Sequence, residues 1–247
     1  MNKAPCDAPQ ATDPHAKADR SSPVQPRGPG GTRGSSAIGE SPEPGTGAGI
    51  TCLAAGTMVV TARGEIPAET LRVGEVILTM NGVPSRQPLI HVARRRVNWS
   101  GRPDAASLAP ILIRAGALMR GAPIRDLRVS PGQGILLDGC LVPARLLVNG
   151  TTIVQEAATD GITYVYLWLE THGVLIADGT LTESGFEDDA RRDFADAANV
   201  TPLMPLRPGH LAGEAMERCA PLLLEGPALE RIRQRLATRA REVGTGF

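Results

Sequence analysis

The sequence predicts an all-β protein, a body of many short antiparallel strands with a helical extension at its C-terminal end. Three observations lead there. Short runs rich in Val, Ile, Leu and Thr recur through the middle of the chain. Turn dipeptides, Asn81-Gly82, Asp138-Gly139, Asn149-Gly150, Asp160-Gly161 and Asp178-Gly179, punctuate them at short intervals. Helical periodicity is confined to the last twenty or so residues.

The chain has 247 residues, 42% of them apolar, with a formal net charge of zero and a pI near 6.9. That is enough for one sizeable core with trimmings, or for two small domains. Zero net charge argues against a general nucleic-acid binder, which needs concentrated Lys and Arg. Aromatic residues make up only 3%, so stacking platforms are scarce. No window approaches the roughly 18 apolar residues of a membrane span, and no apolar stretch follows Lys3 as in a conventional signal peptide. A cytoplasmic location and export by a non-classical route both stay open.

Residues 1–50 hold eight Pro, eight Gly, five basic and five acidic residues. Such a composition cannot offset its ordering entropy, and a disordered tail is expected. Cys6 within it reads as a bystander.

From Gly56 the texture changes. Thr57 to Thr61 reads as a strand, Ala62 to Glu65 as a turn, Ile66 to Leu71 as a short bridging segment, and Val76 to Met80 as a strand closed by the Asn81-Gly82 hairpin signal. Further strands are expected at 88–97, 109–114, 127–129, 134–137, 140–143, 152–156, 163–169 and 173–177. Residues 114–118 and 143–147 read equally as single helical turns or irregular crossovers.

After Ser184 the alternation ends, and residues 185–208 read as an irregular wrap. The final segment is helical: Leu229, Ile232, Leu236, Ala240 and Val243 share one face. Pro227 and Glu230 suit its start, and Arg239, Arg241 and Gly244 its end. Its other face is basic, which fits a solvated packing helix better than a nucleic-acid or membrane surface in a neutral chain. The organisation expected is therefore a tail over 1–50, a β domain over 51–184, and a wrap plus amphipathic helix over 185–247.

Chemistry concentrates at Thr51-Cys52, where the tail meets the first strand-like run. A cysteine thiol can attack the carbonyl of the preceding residue through a five-membered ring, with nucleophile and target already tethered. The product is a thioester between Thr51 and the Cys52 side chain. Because an amide is more stable than a thioester, the shift needs charge stabilisation on the Thr51 oxygen and a proton for the departing nitrogen. Position alone favours a buried structural Cys52 over a nucleophile. His172, after the apolar run Tyr164 to Leu169, is the best general acid or base by sequence, a core or turn histidine being the alternative. His91, beside Arg94, Arg95 and Arg96, suits a surface role, and His15 and His210 have no motif context. Cys140 reads as core. The four cysteines, at 6, 52, 140 and 219, show no zinc-ligand spacing, and no metal or other cofactor is expected.

At these residues the chain resembles the Hint superfamily shared by hedgehog autoprocessing domains and inteins, and most of all its bacterial standalone members. The resemblance rests on the ordered series Cys52-Leu53-Ala54-Ala55-Gly56-Thr57, Gly64 to Glu75, Ile113 to Leu118, Leu127-Arg128-Val129-Ser130-Pro131, Leu141 to Gly150 and Glu170 to Gly179. Similar proteins also carry an extension like Cys219-Ala220-Pro221-Leu222 and the final helix. The resemblance implies a horseshoe of β-strands with pseudo-twofold halves. It implies Cys52 as the acyl-shift nucleophile acting on Thr51, Ser130 as the hydroxyl residue opening a Thr-x-x-His motif, and His172 as the histidine of the late motif.

Two departures shape the expected function. Gln133 stands where the internal motif has histidine, and glutamine cannot act as a proton acid near neutral pH. Glu183-Ser184 stands where inteins end in His-Asn, so the asparagine cyclisation needed for splicing is missing. The reading is a self-processing module that cleaves on the N-terminal side only. Its own N-terminal segment is the substrate and water or a small thiol the resolving nucleophile, with activity weakened by Gln133. The alternative is an inactive Hint fold with a structural or interaction role.

Overall fold

The computed structural model describes residues 51–98, 108–157, 161–185 and 217–244. The expected tail and wrap, with Cys6, His15 and His210, lie outside the described residues, apart from Gly185 at the wrap's start. The described body is a sheet of thirteen strands with one long helix, the all-β architecture with a C-terminal helix that the sequence predicts.

The strands are β1 (Leu53–Ala54), β2 (Met58–Thr61), β3 (Gly64–Pro67), β4 (Val76–Asn81), β5 (Val83–Val97), β6 (Ile111–Ile113), β7 (Leu127–Val129), β8 (Gly134–Leu137), β9 (Cys140–Pro143), β10 (Ile153–Gln155), β11 (Ile162–Leu169), β12 (Val174–Ala177) and β13 (Thr180–Glu183). Their order is β10-β6-β7-β1-β11-β5-β4-β2-β12-β13-β8-β9, with β3 paired to β2. All the strand pairings are antiparallel.

The fifteen-residue β5 joins the two halves of this sheet. Its first part pairs with β4 from Val83 to Pro88, and its second pairs with β11 from Leu89 to Val97. One strand thus holds in register the two regions that carry Cys52 and His172. Three strands exceed expectation: β1, β3 and β13. β1 is too short for alternation to register, β3 occupies part of the expected turn and bridging segment, and β13 is rich in threonine. Residues Ala144–Leu147 form a 3-10 turn.

The turns follow the dipeptide chemistry. Asp178 and Gly179 both take positive φ, 45° and 73°, as the tight hairpin between β12 and β13 requires. Asp138 and Gly139 do the same between β8 and β9.

Alternation along β11 divides the interior. Val165, Leu167 and Leu169 enter the main core, while Tyr164, Tyr166 and Trp168 form a second cluster with Cys52 and Val97. Tyr166 and Trp168 stack at 5.5 Å between ring centroids. His91 packs on Trp168 at 4.7 Å and is half-buried, so the expected surface role is replaced by an aromatic contact whose burial lowers the imidazole pKa.

The helix α1 (Pro227–Gly244) seats Leu229, Ile232 and Leu236 in the main core. Its arginines also bind the body. Arg233 Nε donates to Leu146 O at 2.8 Å, Arg239 Nε to Gly116 O at 3.0 Å, and Arg235 pairs with Asp138 at 2.8 Å. Three arginines of this basic face are thus engaged with the body. Among the described residues, no helix is long and apolar enough to cross a membrane.

Candidate functional site

Cys52 immediately precedes β1, which is clamped between β7 and β11 through Leu53 opposite Val129 and Val165. Thr51 and Cys52 are buried, at 4% and 1% exposure. The bond between them is therefore fixed inside the protein. Cys52 is a thiol and does not form a disulfide with Cys140, which is buried at the start of β9.

Ser130, just past β7, binds both sides of Cys52. Its Oγ accepts the Cys52 N–H at 2.9 Å, and its own N–H donates to Cys52 O at 3.0 Å. The side chain that the motif places three residues before Gln133 thus touches the nitrogen of the Thr51–Cys52 amide. A hydroxyl both accepts and donates, so this oxygen can hold the N–H and return a proton to the same nitrogen.

Gln133 is 1% exposed, and its side-chain nitrogen is doubly engaged. Nε2 donates to Thr182 Oγ1 at 2.7 Å and to Glu183 O at 2.8 Å. Both amide protons are committed to β13 and neither serves the Thr51–Cys52 bond.

His172 lies in the turn before β12, with its side chain fully buried. Its Nδ1 accepts the Cys219 N–H at 3.0 Å, which places the ring proton on Nε2. Nε2 stands 3.2 Å from Glu183 Oε2 without the alignment of a hydrogen bond, so the contact is electrostatic.

Glu183 is the residue that sequence reasoning missed as a participant, having registered it only as the absence of an intein ending. Its Oε1 accepts the Gly134 N–H at 2.8 Å, its Oε2 faces His172 and Arg218 Nη1 at 3.1 Å, and its backbone carbonyl holds Gln133. A buried carboxylate needs partners on this scale. The available signal was an acidic residue closing a strand otherwise made of Thr and Leu. Arg218 and Gly134 carried no signal at all.

Thr51, Cys52, Gln133, Glu183 and Ser184 line one crevice of about 10 Å³, room for roughly a single water. Behind it, Ser184 exchanges two hydrogen bonds with Gly173: its N–H donates to Gly173 O at 2.8 Å, and its Oγ accepts the Gly173 N–H at 3.1 Å. On the thiol's own face stands Tyr164, whose pKa is raised by burial and then by the neighbouring Cys52. Cys219 is half-buried, and burial followed by the Glu183 charge pushes its thiol up to about 12.

The structure therefore brings Thr51, Cys52, Gln133, Glu183 and Ser184 to one crevice, sets Ser130 on the Cys52 amide, and joins His172 to the group through Glu183. Asp178, in the quoted late motif, lies elsewhere, accepting from Met58 N at 3.3 Å and Arg125 Nε at 2.9 Å. Among the described residues no cluster of three His, Cys, Asp or Glu side chains is arranged to hold a metal ion.

No curated protein matches the chain in sequence. Among solved structures it is similar to a bacterial intein-like domain from Clostridium thermocellum, at 13% identity and a TM-score of 0.40, over 56% of this chain and 99% of that one. It is also similar to a DnaB intein from Synechocystis sp. PCC 6803, at 11% identity and a TM-score of 0.40, over 55% of this chain and 99% of that one. The family model of the Hint domain matches residues 51–189, more than half of the chain, and the protein belongs to that family.

Proposed function

We propose that the chain is a self-processing module in which Cys52 converts the Thr51–Cys52 amide to a thioester and so releases its own N-terminal segment. The observation that carries this reading is the 2.9 Å contact of Ser130 Oγ with the Cys52 nitrogen. That contact supports a role for the hydroxyl in delivering the proton that the leaving amine requires.

In the first step Cys52 Sγ bonds to the Thr51 carbonyl carbon and the carbon–nitrogen bond breaks. The thiol proton ends on the Cys52 nitrogen, relayed through the Ser130 hydroxyl. Nucleophile and carbonyl are adjacent by connectivity, which removes most of the entropy of encounter. In the second step a water or a small thiol adds to the same carbon, the carbon–sulfur bond breaks, and the proton returns to the Cys52 sulfur. With water, residues 1–51 leave as a carboxylate. His172 acts through Glu183, which shares the crevice with Thr51. Glu183-Ser184 at the end of β13 provides no asparagine to cyclise, so the reaction stops at N-terminal cleavage without splicing.

The competing reading is an inactive Hint fold with a structural or interaction role. The committed amide protons of Gln133 favour it, because glutamine replaces an acid and is tied away from the amide. Intact mass over time, with dithiothreitol or hydroxylamine added to folded protein, separates the two. Processing yields fragments 1–51 and 52–247 and is abolished by Cys52→Ala. An unchanged full-length mass under these conditions sinks it.

A further inference from the structure

The segment leading into α1 reaches the buried groups behind the crevice. Residues 217–223 run beside β9: Leu141 N donates to Pro221 O and Leu223 N to Leu141 O, each at 2.8 Å, around a parallel bridge between Leu141 and Leu222. Leu223 enters the main core. α1 then anchors this strap through Leu229, Ile232 and Leu236 and through the arginine contacts to Leu146 O and Gly116 O.

Two groups at the other end of the strap are polar and face inward. The Cys219 N–H is the donor to His172 Nδ1 at 3.0 Å, and Arg218 Nη1 is the cation beside Glu183 Oε2 at 3.1 Å. Neither contact is needed to hold the strap, which β9 and α1 already fix. Both act directly on buried polar groups of the site, His172 and Glu183. A neutral imidazole has two tautomers, and an N–H donor at Nδ1 favours the one that turns Nε2–H toward Glu183. A buried carboxylate without a cation is costly, and Arg218 supplies one.

We propose that the C-terminal strap is a working part of the processing site, with Arg218 and the Cys219 backbone N–H as positioning groups that set the tautomer of His172 and hold Glu183 against Gly134 and Gln133. This rests on the processing function proposed above. The extension is then required for cleavage, beyond any contribution it makes to folding.

The full-length chain carrying Arg218→Met, Arg218→Lys or Cys219→Pro is compared with the parent for hydroxylamine-dependent cleavage, with thermal unfolding as a check on folding. In parallel, the same changes are placed in the Cys52→Ala chain and the ¹⁵N shifts of the His172 ring are recorded. Cys219→Pro removes the donor, and is expected to slow cleavage at least about tenfold and to move the ring toward a mixture of tautomers. Arg218→Met is expected to slow cleavage similarly, and Arg218→Lys to recover most of the loss. Parental cleavage by folded Cys219→Pro and Arg218→Met, with an unchanged His172 spectrum, overturns the proposal. If the parent is inert, the processing function fails by itself and the imidazole spectrum decides the strap: a ring shift on Cys219→Pro upholds the positioning role, and an unchanged ring overturns it. Should Cys219→Pro not fold, the Met and Lys pair at Arg218 carries both readouts.

Discussion

Gly134 and Glu183 are packed so closely that a Cβ on the glycine would stand 2.3 Å from Glu183 Oε1 and 2.7 Å from its carboxyl carbon. The carboxylate cannot swing aside cheaply, because Oε1 holds Gly134 N and Oε2 faces Arg218 and His172. Gly134→Ala is therefore expected to destabilise the fold by about 1–3 kcal/mol, the usual cost of overpacking. Adding Glu183→Ala removes the clash, so the double variant should lose less than the two single losses summed. Urea unfolding of the four proteins checks this, and a Gly134→Ala midpoint equal to the parent's would contradict the packing.

Ser130 offers a cleaner separation of chemistry from stability. Ser130→Ala leaves the buried Cys52 N–H without its side-chain acceptor, at about 1–3 kcal/mol, and removes the proposed proton relay. Cleavage is expected to fall more than tenfold in protein that still folds, while Ser130→Thr, which keeps a hydroxyl, should retain most of the rate. Mass-resolved time courses beside thermal melts measure both effects. Equal rates for the alanine and threonine variants would remove Ser130 from the mechanism.

Much of the fold was legible because its signals are local. The Asp-Gly dipeptides give tight hairpins, and the 229–243 periodicity gives the face of α1 that is buried. β1, two residues long, is a strand only because β7 and β11 flank it, and no local pattern encodes that. The site divides the same way. Cys52 stands out by its place where the tail meets the first strand-like run, and Ser130 and Gln133 only through the motif of the family the chain resembles. Glu183 matters because folding sets its carboxylate against Gly134, His172 and Arg218, groups between 11 and 49 residues away along the chain. Gln133 was legible as a missing acid, but the commitment of its amide protons to Thr182 and Glu183 is a tertiary fact.

Cys219 yields a prediction in pH. Its thiol is raised from 9.0 to about 12, first by burial and then by the Glu183 charge. Folding thus favours the protonated form. The associated stability is fully present below about pH 9 and is lost progressively as pH rises toward 12. At pH 8 the folded thiol should react with iodoacetamide about a thousandfold more slowly than the unfolded chain, following its thiolate fraction. Peptide mapping after timed alkylation, native against urea-unfolded, checks this, and fast native labelling at Cys219 would show an exposed thiolate instead.

Gln133→His tests the most consequential departure from the motif. The glutamine donates from one nitrogen to two acceptors, Thr182 Oγ1 and Glu183 O, whereas each ring nitrogen of histidine carries at most one N–H. One of those bonds is lost, so the variant should be less stable by about 1 kcal/mol. In return the site gains a group that titrates near neutrality, and general acid catalysis is commonly worth about 10²–10⁴ in rate. Cleavage is thus expected to accelerate while the unfolding midpoint falls, a combination that a purely structural role for position 133 does not produce. An inert parent alongside an active variant would identify Gln133 as the defect. A variant slower than an active parent would mean that the β13 tether, rather than proton donation, is what this position contributes.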